Sequence, residues 1–309
     1  MIDLHVHTVN SDGDYTTLET LIEAEKQGIE ILSITDHNNI NAYEDLKNIP
    51  VEELFKGTII TGTELEFAKD GKLFDMLGYG MNLELLKNTE IIKEGMVHST
   101  IEDETKILDK LKSVCDKLGI KYSKDLSINS QNNMANDVLL DDIIAYNDNK
   151  KILEELGIYD RTSFYREHFC ELSSPFYIDE TEGVYDVFYV AKVIHEAGGK
   201  TFLAHPFVYK LPNLKEFLDW LVSNKLIDGI ECEHRKHTEE EMKWLKDYCD
   251  INGLLKSGGS DRHSKNHLIG HSCNNHRIIE NSLVSDWINE IEPIYRGNRS
   301  NEKIGNNYN

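Results

Sequence analysis

Short apolar runs at both ends of this chain stop, again and again, at a histidine or an acid, and that recurrence constrains the fold more than any other feature. Ile2, Leu4 and Val6 alternate with Asp3, His5 and His7, the run from Ile29 to Thr35 meets Asp36-His37, and the run from Thr58 ends at Gly62-Thr63-Glu64. Thr201-Phe202-Leu203-Ala204 meets His205-Pro206, and Gly259-Ser260 meets Asp261-Arg262-His263. Short apolar runs separated by helical stretches read as buried parallel strands of βα units. In such folds the carboxyl ends of the strands form the rim that carries the chemistry.

Between the runs the spacing turns helical. Thr16 and Glu19 make a capping-box pattern, Leu18, Leu21 and Ile22 form the predicted buried stripe, and Gly28 is the stop. Leu73 to Tyr79 continues the strand pattern. Residues 82–183 then turn into charged helical stretches, one of them capped by Ser99 with Glu102 and striped by Ile101, Leu108, Leu111, Cys115 and Leu118. This block reads as an inserted helical domain and a candidate lid. The alternation resumes with Val184, Val187, Phe188, Ala191 and Ile194 on one helical face, then a helix opening at Asn213 with Glu216. Next come a strand from Ile227 to Cys232, a helix from Glu239 to Ile251 and a strand from Leu254 to Ser257. Six or seven parallel strands, split as 1–81 and 184–296, close into a distorted barrel more economically than they lie open, a choice the pattern leaves unsettled. Residues 297–309 read as a disordered tail.

Charge narrows the partners. With 33 Lys and Arg against 55 Asp and Glu, the formal charge of −22 repels polyanions, so neither a nucleic-acid coat protein nor a long nucleic-acid partner is expected. No apolar run reaches the roughly 18 residues of a membrane span, and the opening residues lack the pattern of a signal peptide, which predicts a cytoplasmic protein with no membrane partner. The five cysteines, Cys115, Cys170, Cys232, Cys249 and Cys273, are widely spaced and read as reduced thiols.

Residues two apart on a strand face the same side, so His5 and His7 offer two imidazoles to one point, as a transition metal needs. Thirteen histidines in 309 residues give roughly half a His-x-His pair by chance, so the pair needs support. Asp12 in Ser11-Asp12-Gly13, His37, Glu64, His205, Asp261 and His263 supply it, each beside a predicted strand end. This ordered set, Asp3-Leu4-His5-Val6-His7-Thr8 with Ser11-Asp12-Gly13, Thr35-Asp36-His37, Gly62-Thr63-Glu64, Ala204-His205-Pro206 and Gly259-Ser260-Asp261-Arg262-His263, resembles the PHP family, the polymerase and histidinol phosphatase superfamily. The resemblance covers residues 1–81 and about 184–280. It is nearest the subgroup that hydrolyses nucleotides and small phosphate monoesters or trims short RNA.

The resemblance implies an α/β fold, a distorted (β/α)7 barrel with an inserted helical domain, and a centre of two or three divalent ions, manganese, iron or zinc, with magnesium also admissible. The first ion would take His5, His7, Glu64 and Asp261, with Glu64 bridging to a second held also by His205. Asp12, His37 and His263 would hold a third. Where the family pattern has a histidine, this chain has Asp75 in Asp75-Met76-Leu77-Gly78-Tyr79. A carboxylate there still ligates, and it shifts preference toward manganese, iron(II) or magnesium over zinc. Four carboxylates and five neutral imidazoles around three divalent ions leave about +2, which attracts a phosphate dianion, and the ions would supply hydroxide for in-line attack. Asp36 is expected to orient a ligand, Arg262 and Arg235 are candidates to grip the phosphate, and His234 is a candidate to face the substrate. The expected activity is hydrolysis of a small phosphorylated substrate. The alternatives are histidinol phosphatase, short-oligonucleotide exonuclease and a non-catalytic metal-binding module.

Overall fold

In β1 (Ile2–Val6), all five residues are buried, as expected of a strand with an apolar core on one face and polar side chains converging on the other. The computed structural model describes residues 1–95, 100–130 and 133–298. β1 pairs in parallel with β2 (Ile31–Ile34), which pairs in parallel with β3 (Thr58–Ile59). A second sheet runs in the order β4 (Gly62–Lys69), β5 (Lys72–Tyr79), β6 (Lys200–Leu203), β7 (Gly229–His234) and β8 (Leu255–Gly259). The short strands β9 (His271–Ser272) and β10 (Arg277–Ile278) pair with each other, and β11 (Tyr295–Arg296) closes the first sheet antiparallel to β3. Among the described residues no helix is long and apolar enough to cross a membrane.

The fold is mixed α/β, and it departs from the expected uniform parallel sheet at β5. Asp70 and Gly71, at φ of 51° and 72°, turn β4 back into β5, and β5 then runs antiparallel to β6. An Asp-Gly pair with both residues left-handed is the preferred two-residue hairpin turn. The closed barrel predicted from the sequence is likewise not seen as one sheet. Isolated parallel bridges connect the two sheets, Val6 at the end of β1 to Arg262 just after β8, and His37 just after β2 to Glu64 in β4.

Local chemistry explains where the elements begin and end. The Thr16–Glu19 capping box opens the helix Thr17–Gln27, and Gly28, at φ 77°, ends it. Its buried face is Thr17, Thr20, Leu21 and Ala24, whereas Leu18 and Ile22, both expected inside, are 39% and 45% exposed. Two threonines on the inner face hid the true stripe. Phe188, predicted inside, is exposed at the start of the helix Val187–Glu196. The long helix Ile101–Leu118 is capped by Thr100 with Asp103, one residue later than predicted, and Ser99 lies outside the described residues. Gly297, read as the start of a disordered tail, donates its N–H to the Gly57 carbonyl at 2.8 Å, and the tail from residue 299 lies outside the described residues.

Two compact units divide the chain. One comprises Met1–Phe67, Phe74–Met96 and Tyr185–Asn309, and the other Ala68–Leu73 with Val97–Val184. The second has its own core, including Leu108, Leu111, Cys115, Leu139, Phe164, Phe169 and Phe176. The helical stretch just after residue 82 sits in the first unit, because Leu86 and Ile91 are buried in that unit's core.

β1 is fixed by two features of the first unit. A Cβ on Gly259 would stand 2.2 Å from the His5 Cβ and 2.4 Å from the His5 backbone nitrogen, so only glycine lets β8 lie this close to β1. Asp3, fully buried, accepts from the backbone N–H groups of His5, Ser260 and Gly270 and from the Ser260 hydroxyl. Asp3→Ala strands those donors in the interior and is expected to lower the unfolding free energy by about 3 kcal/mol or more. Urea unfolding measures the change, and an unaltered midpoint would contradict the role given to Asp3.

Candidate metal centre

The two-residue period of β1 brings the His5 and His7 Nε2 atoms to 3.1 Å from each other. Glu64, the third residue of β4, reaches them from across the isolated bridge, its Oε2 lying 3.1 Å from His5 Nε2, 3.2 Å from His7 Nε2 and 3.4 Å from His37 Nε2. Its other oxygen lies 3.1 Å from His205 Nε2. Asp261 Oδ1, beyond β8, lies 3.5 Å from His5 Nε2 and 3.4 Å from His7 Nε2. On the outer side Asp12 meets His7 Nδ1 at 3.3 Å and His263 Nε2 at 3.0 Å. Asp75 Oδ2 lies 3.8 Å from His205 Nε2.

All nine residues predicted as ligands come together. Their donor atoms form four overlapping groups, each with every atom within 4.8 Å of the others: His7, Asp12, His37 and His263; His5, His7 and Asp261; His5, Glu64 and His205; and His37, Glu64 and Asp75. Two of the ligand candidates occupy left-handed backbone that non-glycine residues rarely adopt, His205 at φ 28° and Asp261 at φ 48°. Strain of this kind collects at functional sites.

The donor set fits divalent ions for a reason visible in its protons. His5 Nδ1 stands 2.9 Å from Glu231 Oε1, and a carboxylate only accepts, so the neutral ring carries its proton on Nδ1. Nε2 is then a bare lone pair facing a second imidazole nitrogen and two carboxylates. Either a proton or a metal ion must stand among these lone pairs. Without metal, protons do so: burial pushes the His5, His7 and His205 values down, but the surrounding carboxylates overcome it and leave all three raised. For His5 the opposing groups are Glu64 and Glu231, and for His7 they are Asp12, Asp261 and Glu64. Burial pushes the other way on the acids, yet the imidazoles hold Glu64, Asp261 and Asp12 below the ordinary carboxylate range.

The residues predicted to orient or grip are placed differently. Asp36 accepts from Thr8 N–H, the Thr8 hydroxyl and the Ser11 hydroxyl, each at 2.7 Å, instead of from an imidazole among the described residues, and so fixes the loop that carries Asp12. His234 is fully buried with Nε2 3.0 Å from Asp261 Oδ2, which makes it a brace for that carboxylate instead of a substrate contact. Arg262 is only 3% exposed, its guanidinium stacked 3.6 Å from the centre of the Tyr15 ring and its Nε donating to the His267 carbonyl. It is therefore committed to the fold. Arg235 donates through Nε to the Asp261 carbonyl at 3.2 Å, and its side chain remains 18% exposed beside the centre.

Two functional positions exceeded what the sequence reading assigned. Glu231, in the predicted strand from Ile227 to Cys232, grips His5 with one oxygen and accepts the His205 N–H at 2.8 Å with the other. Asp3 was quoted in the motif without a role. Its signal was present, because Asp3 continues the two-residue period of His5 and His7 on the same face.

A family model for the PHP domain matches residues 3–174. A 5′-3′ exoribonuclease of Haemophilus influenzae is 24% identical over 276 residues, covering 84% of this chain and 89% of that protein. Two solved structures resemble this chain in fold. An amidohydrolase from Chromobacterium violaceum, with bound sulfate and no metal, superposes with a TM-score of 0.59 at 21% identity, over 91% of this chain and 95% of the other. A protein from Bifidobacterium adolescentis described as a metal-dependent phosphoesterase gives 0.56 at 22% identity, over 94% of each chain. With the family model spanning more than half of its length, this chain belongs to the PHP domain family.

Proposed function

We propose that this chain, a hydrolase of phosphoester bonds, cleaves a small phosphate monoester at a centre of divalent ions held by His5, His7, Asp12, His37, Glu64, Asp75, His205, Asp261 and His263. The observation that carries this reading is the convergence of these nine donors, with lone pairs facing one another, around a buried core of His5, His7, Glu64, His205 and Asp261. Divalent ions bound there supply Lewis acidity toward phosphoryl oxygens and lower the pKa of water.

The chain's own groups prepare the site. Glu231 holds His5 in the tautomer whose Nε2 faces the centre, the arrangement by which outer carboxylates fix ligating imidazoles. Glu64 directs its two oxygens to opposite sides, one toward His205 and the other toward His5, His7 and His37, as a bridging carboxylate must. Asp36 orders the loop of Asp12 through Thr8 and Ser11. Arg235, held by the Asp261 carbonyl and partly exposed, is our choice for a phosphate contact. The bridges joining β1 to Arg262 and His37 to β4 support a distorted barrel as the architecture around the centre. Asp75, a hard oxygen donor, favours manganese, iron(II) or magnesium there.

A second reading, hydrolysis of short oligonucleotides, is favoured by the similarity to an exoribonuclease across most of both chains. Phosphate release from nucleoside mono- and bisphosphates, sugar phosphates and histidinol phosphate, set beside mononucleotide release from a short RNA with manganese added, separates the two. The monoesters are expected to be cleaved faster. Turnover of RNA alone would replace the first reading with the second. His5→Ala combined with Asp261→Ala is expected to lower the metal content found by elemental analysis, and unchanged content would refute the centre.

Protons and metal ions compete for the same lone pairs, which gives a signed pH dependence. The raised values of His5, His7 and His205 in the metal-free protein mean that manganese binding displaces protons. Affinity should therefore rise with pH, with proton release seen by calorimetry in buffers of different ionisation enthalpy. In metal-free protein, raised histidine values contribute stability below their unfolded values, and it is lost as pH rises through the folded ones. The depressed values of Glu64, Asp12 and Asp261 contribute stability above their unfolded values, and it is lost as pH falls through the folded ones. Metal-free protein should thus unfold more readily at both extremes, whereas added manganese should protect it on the alkaline side.

A further inference from the structure

Asp75 is where this chain departs from the family pattern, and the structure gives its carboxylate a partner outside every motif. It is the fourth residue of β5, and its backbone N–H donates to the Tyr209 hydroxyl at 2.8 Å. That same hydroxyl donates to Asp75 Oδ2 at 3.3 Å. Tyr209, 4% exposed, is the last residue of the turn Pro206–Tyr209. The turn follows directly on His205, the ligand candidate with the left-handed φ of 28°, and the Val208 N–H closes it onto the His205 carbonyl at 2.9 Å. The Tyr209 ring packs edge-on against Phe74 at 4.8 Å and lies 5.3 Å from the His205 ring. A single phenol therefore connects the strand that carries Asp75 with the strained turn that carries His205.

The consequence for a metal ion lies in the carboxylate's freedom. An aspartate has two rotatable bonds, and an ordered donor group is needed to hold one oxygen so that the remaining lone pairs keep a fixed direction. Tyr209 does this while gripping the backbone of the same residue, so the side chain and its strand are held together. We propose that Tyr209 is a positioning residue for the metal position shared by Glu64 and Asp75. The proposal rests on the metal-centre reading above and assigns Tyr209 no contact with substrate.

The test is manganese titration by calorimetry on the full chain, together with elemental analysis and electron paramagnetic resonance of the bound ions. The proteins are the wild type, Tyr209→Phe, Asp75→Asn, their combination and Glu64→Gln. Phenylalanine keeps the ring that packs against Phe74 and His205 and removes only the hydroxyl. Tyr209→Phe is expected to weaken one class of ion by roughly 10- to 100-fold, leave the others unchanged and alter the spin coupling between bound manganese ions. The combined variant should bind no more weakly than Asp75→Asn alone. Wild-type affinities in Tyr209→Phe alongside an ion lost from Asp75→Asn would overturn the proposal, as would fully additive losses in the combined variant. Loss of every ion together with a lowered unfolding midpoint would make Tyr209 a fold residue and overturn it too. If Asp75→Asn and Glu64→Gln both keep all ions at wild-type affinity, the metal-centre reading falls and takes this inference with it.

Discussion

Glu64, 1% exposed, stands with one oxygen within 3.4 Å of three imidazole nitrogens and the other 3.1 Å from a fourth. An interior usually pairs each acceptor with a donor, but here acceptors face acceptors. Such an arrangement is stable only if positive charge is supplied from outside the covalent chain, as protons or as metal ions. The surrounding structure reads as a means of holding these groups in place. Asp3 fixes β1 to the segment after β8, Glu231 fixes two of the histidines, His234 fixes Asp261, and Asp36 fixes the loop of Asp12. None of these four braces lies among the nine candidate ligands, yet all are buried beside them.

The same requirement explains where the backbone is forced. Gly259 allows β8 to approach His5 within a distance no side chain would tolerate, while His205 and Asp261 accept left-handed geometry with a side chain present. A chain selected for stability alone would have glycine or asparagine at such places. Ligand candidates sit there because the direction of a side chain leaving a strand end is set by the backbone beneath it.

The legibility of the sequence follows this division. Positions that present a donor at the end of an apolar run, such as His5, His7, Glu64 and His205, were readable because a strand's period and its end are local properties. The Thr16 cap and the Gly28 stop were readable for the same reason. Arg262 and His234 lay at strand ends too, but whether a polar side chain there turns inward depends on distant partners, the Tyr15 ring for the first and the Asp261 carboxylate for the second. Direction of a strand is also non-local in part. The apolar run of β5 alone says nothing about orientation and reads as one more parallel strand, although Asp70-Gly71 before it carries a hairpin signal. The helix Thr17–Gln27 failed in another way: its inner face is half threonine, so counting apolar residues selected the wrong side.

The charge of −22 and the phosphate chemistry are compatible because the two act over different distances. Exposed charges further apart than a Debye length, about 10 Å at 0.1 M salt, are largely screened, whereas charges buried within a few ångströms are not. At the centre, the carboxylates raise the His5, His7 and His205 values, and protons held there offset part of the negative charge of Asp12, Glu64, Asp75 and Asp261 without reversing it. Divalent ions replacing those protons add further positive charge at the same lone pairs. An anion reaching the rim therefore meets a field set by the centre, while the acidic exterior weakens the approach of long polyanions that must contact many surface charges at once.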